Sequence, residues 1–153
     1  MSTIDERLAE LGIALPTVVP PVASYIPAVV TGSLVYTSGQ LPMVDGALPA
    51  TGKLGAEVSD EQGKALARQC ALNGLAAVAS VIGSLDRVTR IVKVVGFVAS
   101  DPAFTGQPGV INGASEVLGE IFGDAGVHAR SAVGVAVLPL NSPVEVELVV
   151  EFA

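Results

Sequence analysis

Period-two alternation at the C-terminus, two apolar patterns at helical spacing, and strand-like runs around them predict an α+β protein. The predicted order is β-β-α-β-α-β-β, a sheet with both helices on one face. Each element follows from local chemistry. Ser2 or Thr3 caps a short first helix, Asp5 and Glu6 sit in its first turn, and Ile4, Leu8 and Leu11 share a face before Gly12 ends it. Prolines 16, 20, 21 and 27 forbid helix across residues 15–27, which reads as an extended connector. Residues 28–38 carry two apolar runs around Thr31-Gly32-Ser33, a hairpin signal. Residues 42–57 are loop-rich.

Ser59 caps a long helix, with Glu61 and Gln62 near its start, Leu72, Leu75, Ala79 and Ile82 on one face, and Gly83 at its end. Leu85-Asp86 turns the chain into a β-rich run over residues 88–100. A second helix is predicted over 110–122, with Val110, Ala114, Val117 and Ile121 inward. Residues 130–138 alternate Val133, Val135 and Val137 with Ala132, Gly134 and Ala136. The last strand, 144–152, alternates Val144, Val146, Leu148 and Val150 with Glu145, Glu147 and Glu151. With helices on one side, Ala132, Gly134 and Ala136 are expected to face outward. An exposed apolar sheet face marks an interface, so self-association is expected.

The chain has 153 residues, half of them apolar and only 15% charged, which suits one domain and excludes disorder. No membrane-spanning window and no secretion signal are read, and the single Cys70 forms no internal disulfide, so a cytoplasmic location is expected. A net charge of −7 with eight scattered Lys and Arg argues against nucleic acid.

The chemistry-bearing residues are few. The only histidine, His128, stands two residues before Arg130 at the start of a strand with little polar character. A guanidinium stays charged and needs a carboxylate, a phosphate or water. The alternatives for Arg130 are solvent or an inter-subunit ion pair. His128 is either a general acid or a structural residue. Cys70 lies among Leu66, Ala67, Ala71 and Leu72 and reads as a small buried hydrophobe. No His/Cys cluster completes a metal site, and the glycines match neither phosphate-loop template.

The stretches TSGQLP (37–42), ARS (129–131) and LP…VEVE (138–147), in this order, resemble the RidA/YjgF family, also called endoribonuclease L-PSP-like. The resemblance covers residues 25–153. Residues 1–24 form an added N-terminal helix and connector, typical of a subgroup with phrases like NGAS…HARSAVGV. The resemblance implies a chorismate-mutase-like, ferredoxin-like fold and a homotrimer with sites between subunits. It further implies hydrolysis of reactive enamines or imines of small 2-keto acids, releasing ammonia, with no cofactor or metal. Arg130 matches the arginine that grips the substrate carboxylate, and Glu145 matches the carboxylate that positions water. Tyr25, Ser38, Gly39 and Asn112 fall at family positions near the ligand, with Ser38 and Gly39 expected to supply donors, and His128 is expected to shape the same wall. Tyr25 alternatively packs at the interface, and Asn112 alternatively caps a helix.

Departures touch the wall more than the anchor: Ala132 where cysteine is common, His128 where proline is common, and Gly134 where an acid is common. A binder or sensor of keto acids is the competing reading, and a ribonuclease or a chorismate mutase is disfavoured.

Overall fold

The computed structural model describes residues 3–21 and 23–153. Helix α1 spans Ile4–Glu10 and is held by a capping box between Thr3 and Glu6. Ser2, the alternative cap, lies outside the described residues. Leu11 closes the helix and Gly12, at φ 69, turns the chain away. The Ile4 amide donates to Asp86 Oδ1, and Arg7 Nε donates to the Glu120 carbonyl at 2.9 Å, so α1 is tied to the body of the fold.

Strands β1 (Ala28–Thr31) and β2 (Leu34–Thr37) form the expected hairpin, with Gly32 at φ 58 in the turn, a region glycine enters without steric cost. Helix α2 (Asp60–Ile82) begins with a second capping box, Ser59 with Gln62, and stops at Gly83, φ 88. Strand β3 is Val88–Ala99, helix α3 is Gln107–Phe122, β4 is Ala129–Val135 and β5 is Val144–Phe152. The sheet order is β1-β2-β5-β3-β4, antiparallel except for the β3–β4 pair. That parallel pair requires a crossover, and α3 provides it. The order and the single-faced helix layer agree with the sequence expectation.

Two boundaries differ from it. Helix α3 starts three residues before Val110, because Pro108 occupies its first turn, where a missing N–H costs nothing. Strand β4 ends at Val135, so Ala136 to Leu138 lie outside the ladder.

The core lies between the sheet and the two helices. Val35, Ile91, Val94, Val98, Val146, Leu148 and Val150 meet Leu75, Val78, Ile111, Val117 and Leu118 there, all fully or almost fully buried. Helix α2 is long and apolar enough to cross a membrane by composition, which the sequence reading did not register. Most of it is buried inside the domain, as a core helix requires.

The direction of β4 corrects an expectation. Arg130, Ala132 and Gly134 pair with Val94, Gly96 and Val98, and so face the helices rather than outward. The outward set is Ser131, Val133 and Val135. The open face is still apolar: Val133 and Tyr36 are each 44% exposed and Val29 is 50% exposed.

Candidate functional site

The sequence-derived site residues fall into two groups. The first lines a cavity of about 500 Å³ on the open side of the sheet, bringing Tyr25, Ser38, Gly39 and Glu145 together. Its volume is in the range of small-molecule pockets. The connector supplies another wall through Val19, Pro20 and Pro21, so the segment that cannot be helix encloses the site.

Glu145 sits between Val144 and Val146, whose side chains point into the core, so its own points to the open face. Burial first, and repulsion from Glu147 second, push its carboxyl above the ordinary glutamate value. Gly39 passes so close that a Cβ at this position would overlap the Glu145 carboxylate. A side chain at position 39 would therefore displace the Glu145 carboxylate. The Gly39 N–H has no protein acceptor among the described residues and remains available as a donor.

Ser38 differs from its expectation as a donor. Its N–H donates to the Pro27 carbonyl at 2.8 Å and its hydroxyl to the Ile26 carbonyl at 2.6 Å. Both protons hold the connector against the sheet, leaving Gly39 as the donor of the pair. Gln40 was not singled out from the sequence. It is 4% exposed, lines the cavity, and exchanges both backbone hydrogen bonds with Val146. A buried glutamine inside TSGQLP was the available signal.

The second group lies on the helix side of the sheet, at the edge made by β4 and α3. Arg130 Nη1 donates to Asn112 Oδ1 at 2.8 Å and to Ser115 Oγ at 3.2 Å, and Nη2 donates to the Pro108 carbonyl at 3.2 Å. All three acceptors are neutral. Among the described residues no carboxylate pairs with Arg130, and its Nε has no acceptor. Asn112 is not a cap: the cap position is Gly106, and Asn112 lies within α3. Ser115, one turn further, was missed by sequence reasoning. Its i,i+3 spacing from Asn112 on one helix face was the clue.

His128 is half-buried beside this group. Its Nδ1 lies 2.6 Å from the Gly126 carbonyl and its Nε2 lies 2.9 Å from Ser115 Oγ. Where the family commonly has an acid, Gly134 leaves room for Gln107, which donates to Ser100 Oγ and the Phe104 carbonyl. Cys70 is fully buried in α2, and burial raises its thiol pKa well above the ordinary range, so it behaves as a hydrophobe rather than a nucleophile.

Within one chain the two groups do not converge. Arg130 pairs with Val94 on the helix face, whereas Glu145 pairs with Phe97 on the open face. The sheet itself separates the guanidinium from the carboxyl.

Comparison with known proteins fits this architecture. Residues 5–152 match the family described as YjgF/chorismate mutase-like, putative endoribonuclease. Protein TCP17 of Trypanosoma cruzi is 46% identical over 149 residues, covering 97% of this chain and 93% of TCP17. The crystal structure of Atu1372 from Agrobacterium tumefaciens, of unknown function, superposes with a TM-score of 0.91 at 44% identity, over 98% of this chain and 92% of Atu1372. An endoribonuclease-like protein of Shewanella oneidensis, also described as putative, gives 0.95 at 36% identity, over 99% and 100% of the two chains. Escherichia coli TdcF, solved with bound serine, gives 0.62 at 26% identity, over 90% and 93%. A match running from within α1 to the last strand, together with relatives of this identity, establishes that the chain belongs to the YjgF/chorismate mutase-like family.

Proposed function

We propose that this protein hydrolyses reactive enamines or imines of small 2-keto acids, releasing ammonia, at sites shared between copies of a homotrimer. The observation that carries the reading is Glu145: a carboxyl of raised pKa in a cavity, beside the open N–H of Gly39. An imine carbon is already electrophilic, and a proton on its nitrogen makes it more so. Glu145, ionised, accepts a proton from water as the water oxygen bonds to that carbon. It then returns that proton to nitrogen and, ionised again, accepts the proton of the new hydroxyl as the C–N bond breaks and the carbonyl forms, and this second proton leaves with the ammonia. A raised pKa suits a group that must take and give back a proton.

Arg130 supplies the anchor. Its charge has no carboxylate partner among the described residues, and an unpaired guanidinium edge fits a substrate carboxylate. That TdcF holds serine, a small carboxylate, supports this class of ligand. Because Arg130 and Glu145 occupy opposite sheet faces, a second copy must bring one to the other. The exposed apolar face of Val29, Tyr36 and Val133 supports the same assembly. The lone reduced Cys70 is consistent with a cytoplasmic setting.

The family description also names endoribonuclease activity. The net charge of −7 does not favour it, and Arg7, Lys64 and Arg68 are already paired with Glu10, Glu116 and Glu120. Simple binding of a keto acid is the second reading, favoured by the serine in TdcF. The deciding assay follows ammonia and pyruvate release from 2-iminopropanoate generated in situ. Wild type is expected to accelerate release, with the acceleration lost in Glu145→Gln and Arg130→Ala. Pyruvate binding is expected to survive in Glu145→Gln only. Acceleration that survives Glu145→Gln contradicts the mechanism, and binding without acceleration in wild type leaves the binder.

A further inference from the structure

We infer that Ser115 and His128 are positioning residues that fix the Arg130 guanidinium in one orientation, with its Nε edge turned to the substrate carboxylate. The inference rests on the reading of Arg130 as the anchor and adds to it two residues that touch no substrate.

The direction of the hydrogen bonds carries the argument. The Gly126 carbonyl only accepts, so the His128 Nδ1 at 2.6 Å bears the proton. In the neutral ring Nε2 then holds a lone pair, and at 2.9 Å it accepts the Ser115 hydroxyl proton. With its proton committed to His128, Ser115 Oγ presents lone pairs, and Arg130 Nη1 donates to one of them at 3.2 Å. Donation therefore runs one way, from Arg130 to Ser115 to His128 to Gly126. Each link polarises the next. Asn112 Oδ1 takes the other Nη1 proton and the Pro108 carbonyl takes one from Nη2.

The consequences are specific. A side chain as flexible as arginine loses rotamer freedom when it grips a ligand, unless it is held beforehand. Here Nη1 is fully used by the protein, and the free donors lie at Nε and the remaining Nη2 position, a side-on fork suited to a carboxylate. His128 has both ring nitrogens occupied, so its role is to orient Ser115 rather than to hand a proton to substrate. Without the imidazole acceptor, the Ser115 hydroxyl is free to rotate its proton toward Arg130, which repels the guanidinium.

The test titrates pyruvate into the folded protein and follows binding by NMR, with the Arg130 Nε–H resonance as a second readout. Ser115→Ala and His128→Phe are expected to weaken pyruvate about tenfold, the scale of one charge-assisted hydrogen bond. They are also expected to broaden or shift the Nε–H signal. Ser115→Thr keeps the hydroxyl, and His128→Gln places an amide oxygen near the Nε2 position; both are expected to stay within about threefold of wild type. In turnover of 2-iminopropanoate the loss should fall on KM with kcat little changed, because the grip is present before and during reaction. Wild-type pyruvate affinity in Ser115→Ala, alongside lost affinity in Arg130→Ala, overturns the inference and leaves the anchor standing. Wild-type affinity in Arg130→Ala overturns both. If Ser115→Ala lowers the melting temperature and leaves affinity and the Nε–H signal unchanged, the contact is structural only, and the inference fails.

Discussion

Glu145 is the residue whose environment departs most usefully from its sequence context. Burial and Glu147 hold its carboxyl above the ordinary value, so the folded state favours the protonated form. The associated stability is present at acid pH and is lost as pH rises through the raised pKa. Glu145→Gln removes the group, so its melting temperature should exceed that of wild type at pH 8 and match it near pH 4, about the unfolded glutamate value. Scanning calorimetry at the two pH values measures this, and a constant difference between the proteins would count against a raised pKa. Activity has the opposite dependence, since the base is the ionised form: kcat/KM should fall on the acid side of that pKa. At this scale the sequence was partly legible. The alternation of β5 set Glu145 apart from the core positions, but Glu147 and Glu151 alternate identically, and only the family motif distinguished them. The pairing of Arg130 with Asn112 was not legible from spacing alone, because it joins residues on different elements. The hydrogen bonds of Ser38 were not legible, because both its protons go to carbonyls of the connector, a contact that a hairpin signal does not encode.

At the scale of elements, the contact between α2 and α3 depends on close approach. Gly113 in α3 lies against the Lys64 carbonyl of α2 with no room for a Cβ. Gly119 in the same helix has open space where a Cβ would sit. The two glycines should therefore respond oppositely to alanine. Gly113→Ala should lose about 1–3 kcal/mol through overpacking, whereas Gly119→Ala should be neutral or gain up to about 1 kcal/mol from helix propensity. Urea unfolding of both variants checks this, and equal effects would mean that the helix pair does not rely on the Gly113 approach. The exposed pairs Lys64–Glu116 and Arg68–Glu120 bridge the same helices but add little, as solvent-screened ion pairs do. The ends of α1 and α2 were readable because their capping residues and terminal glycines are local signals, whereas the start of α3 was not, since its cap position, Gly106, makes no side-chain hydrogen bond. The parity of β4 was not: after Arg130 both alternating sets, Ser131, Val133 and Val135 against Ala132 and Gly134, are small or apolar, so only the register with β3 decides which faces the helices.

For the whole molecule, the central claim is that no single chain contains a complete site. The sheet places Arg130 over the helices and Glu145 on the open face, where apolar side chains including Val133, Tyr36 and Val29 are exposed. The expectation of self-association survives the correction to β4, because Val133 replaces Ala132 and Gly134 on the outward side with a larger apolar group. In the proposed trimer the open face of one copy meets the β4 edge of the next. Mixing inactive variants tests this directly: Arg130→Ala and Glu145→Gln homo-oligomers are combined under conditions of subunit exchange, verified by native mass spectrometry, and assayed with 2-iminopropanoate. The shared site predicts that mixed assemblies regain activity, since some interfaces then join an intact Arg130 to an intact Glu145. Mixed assemblies that form and stay inactive would contradict it.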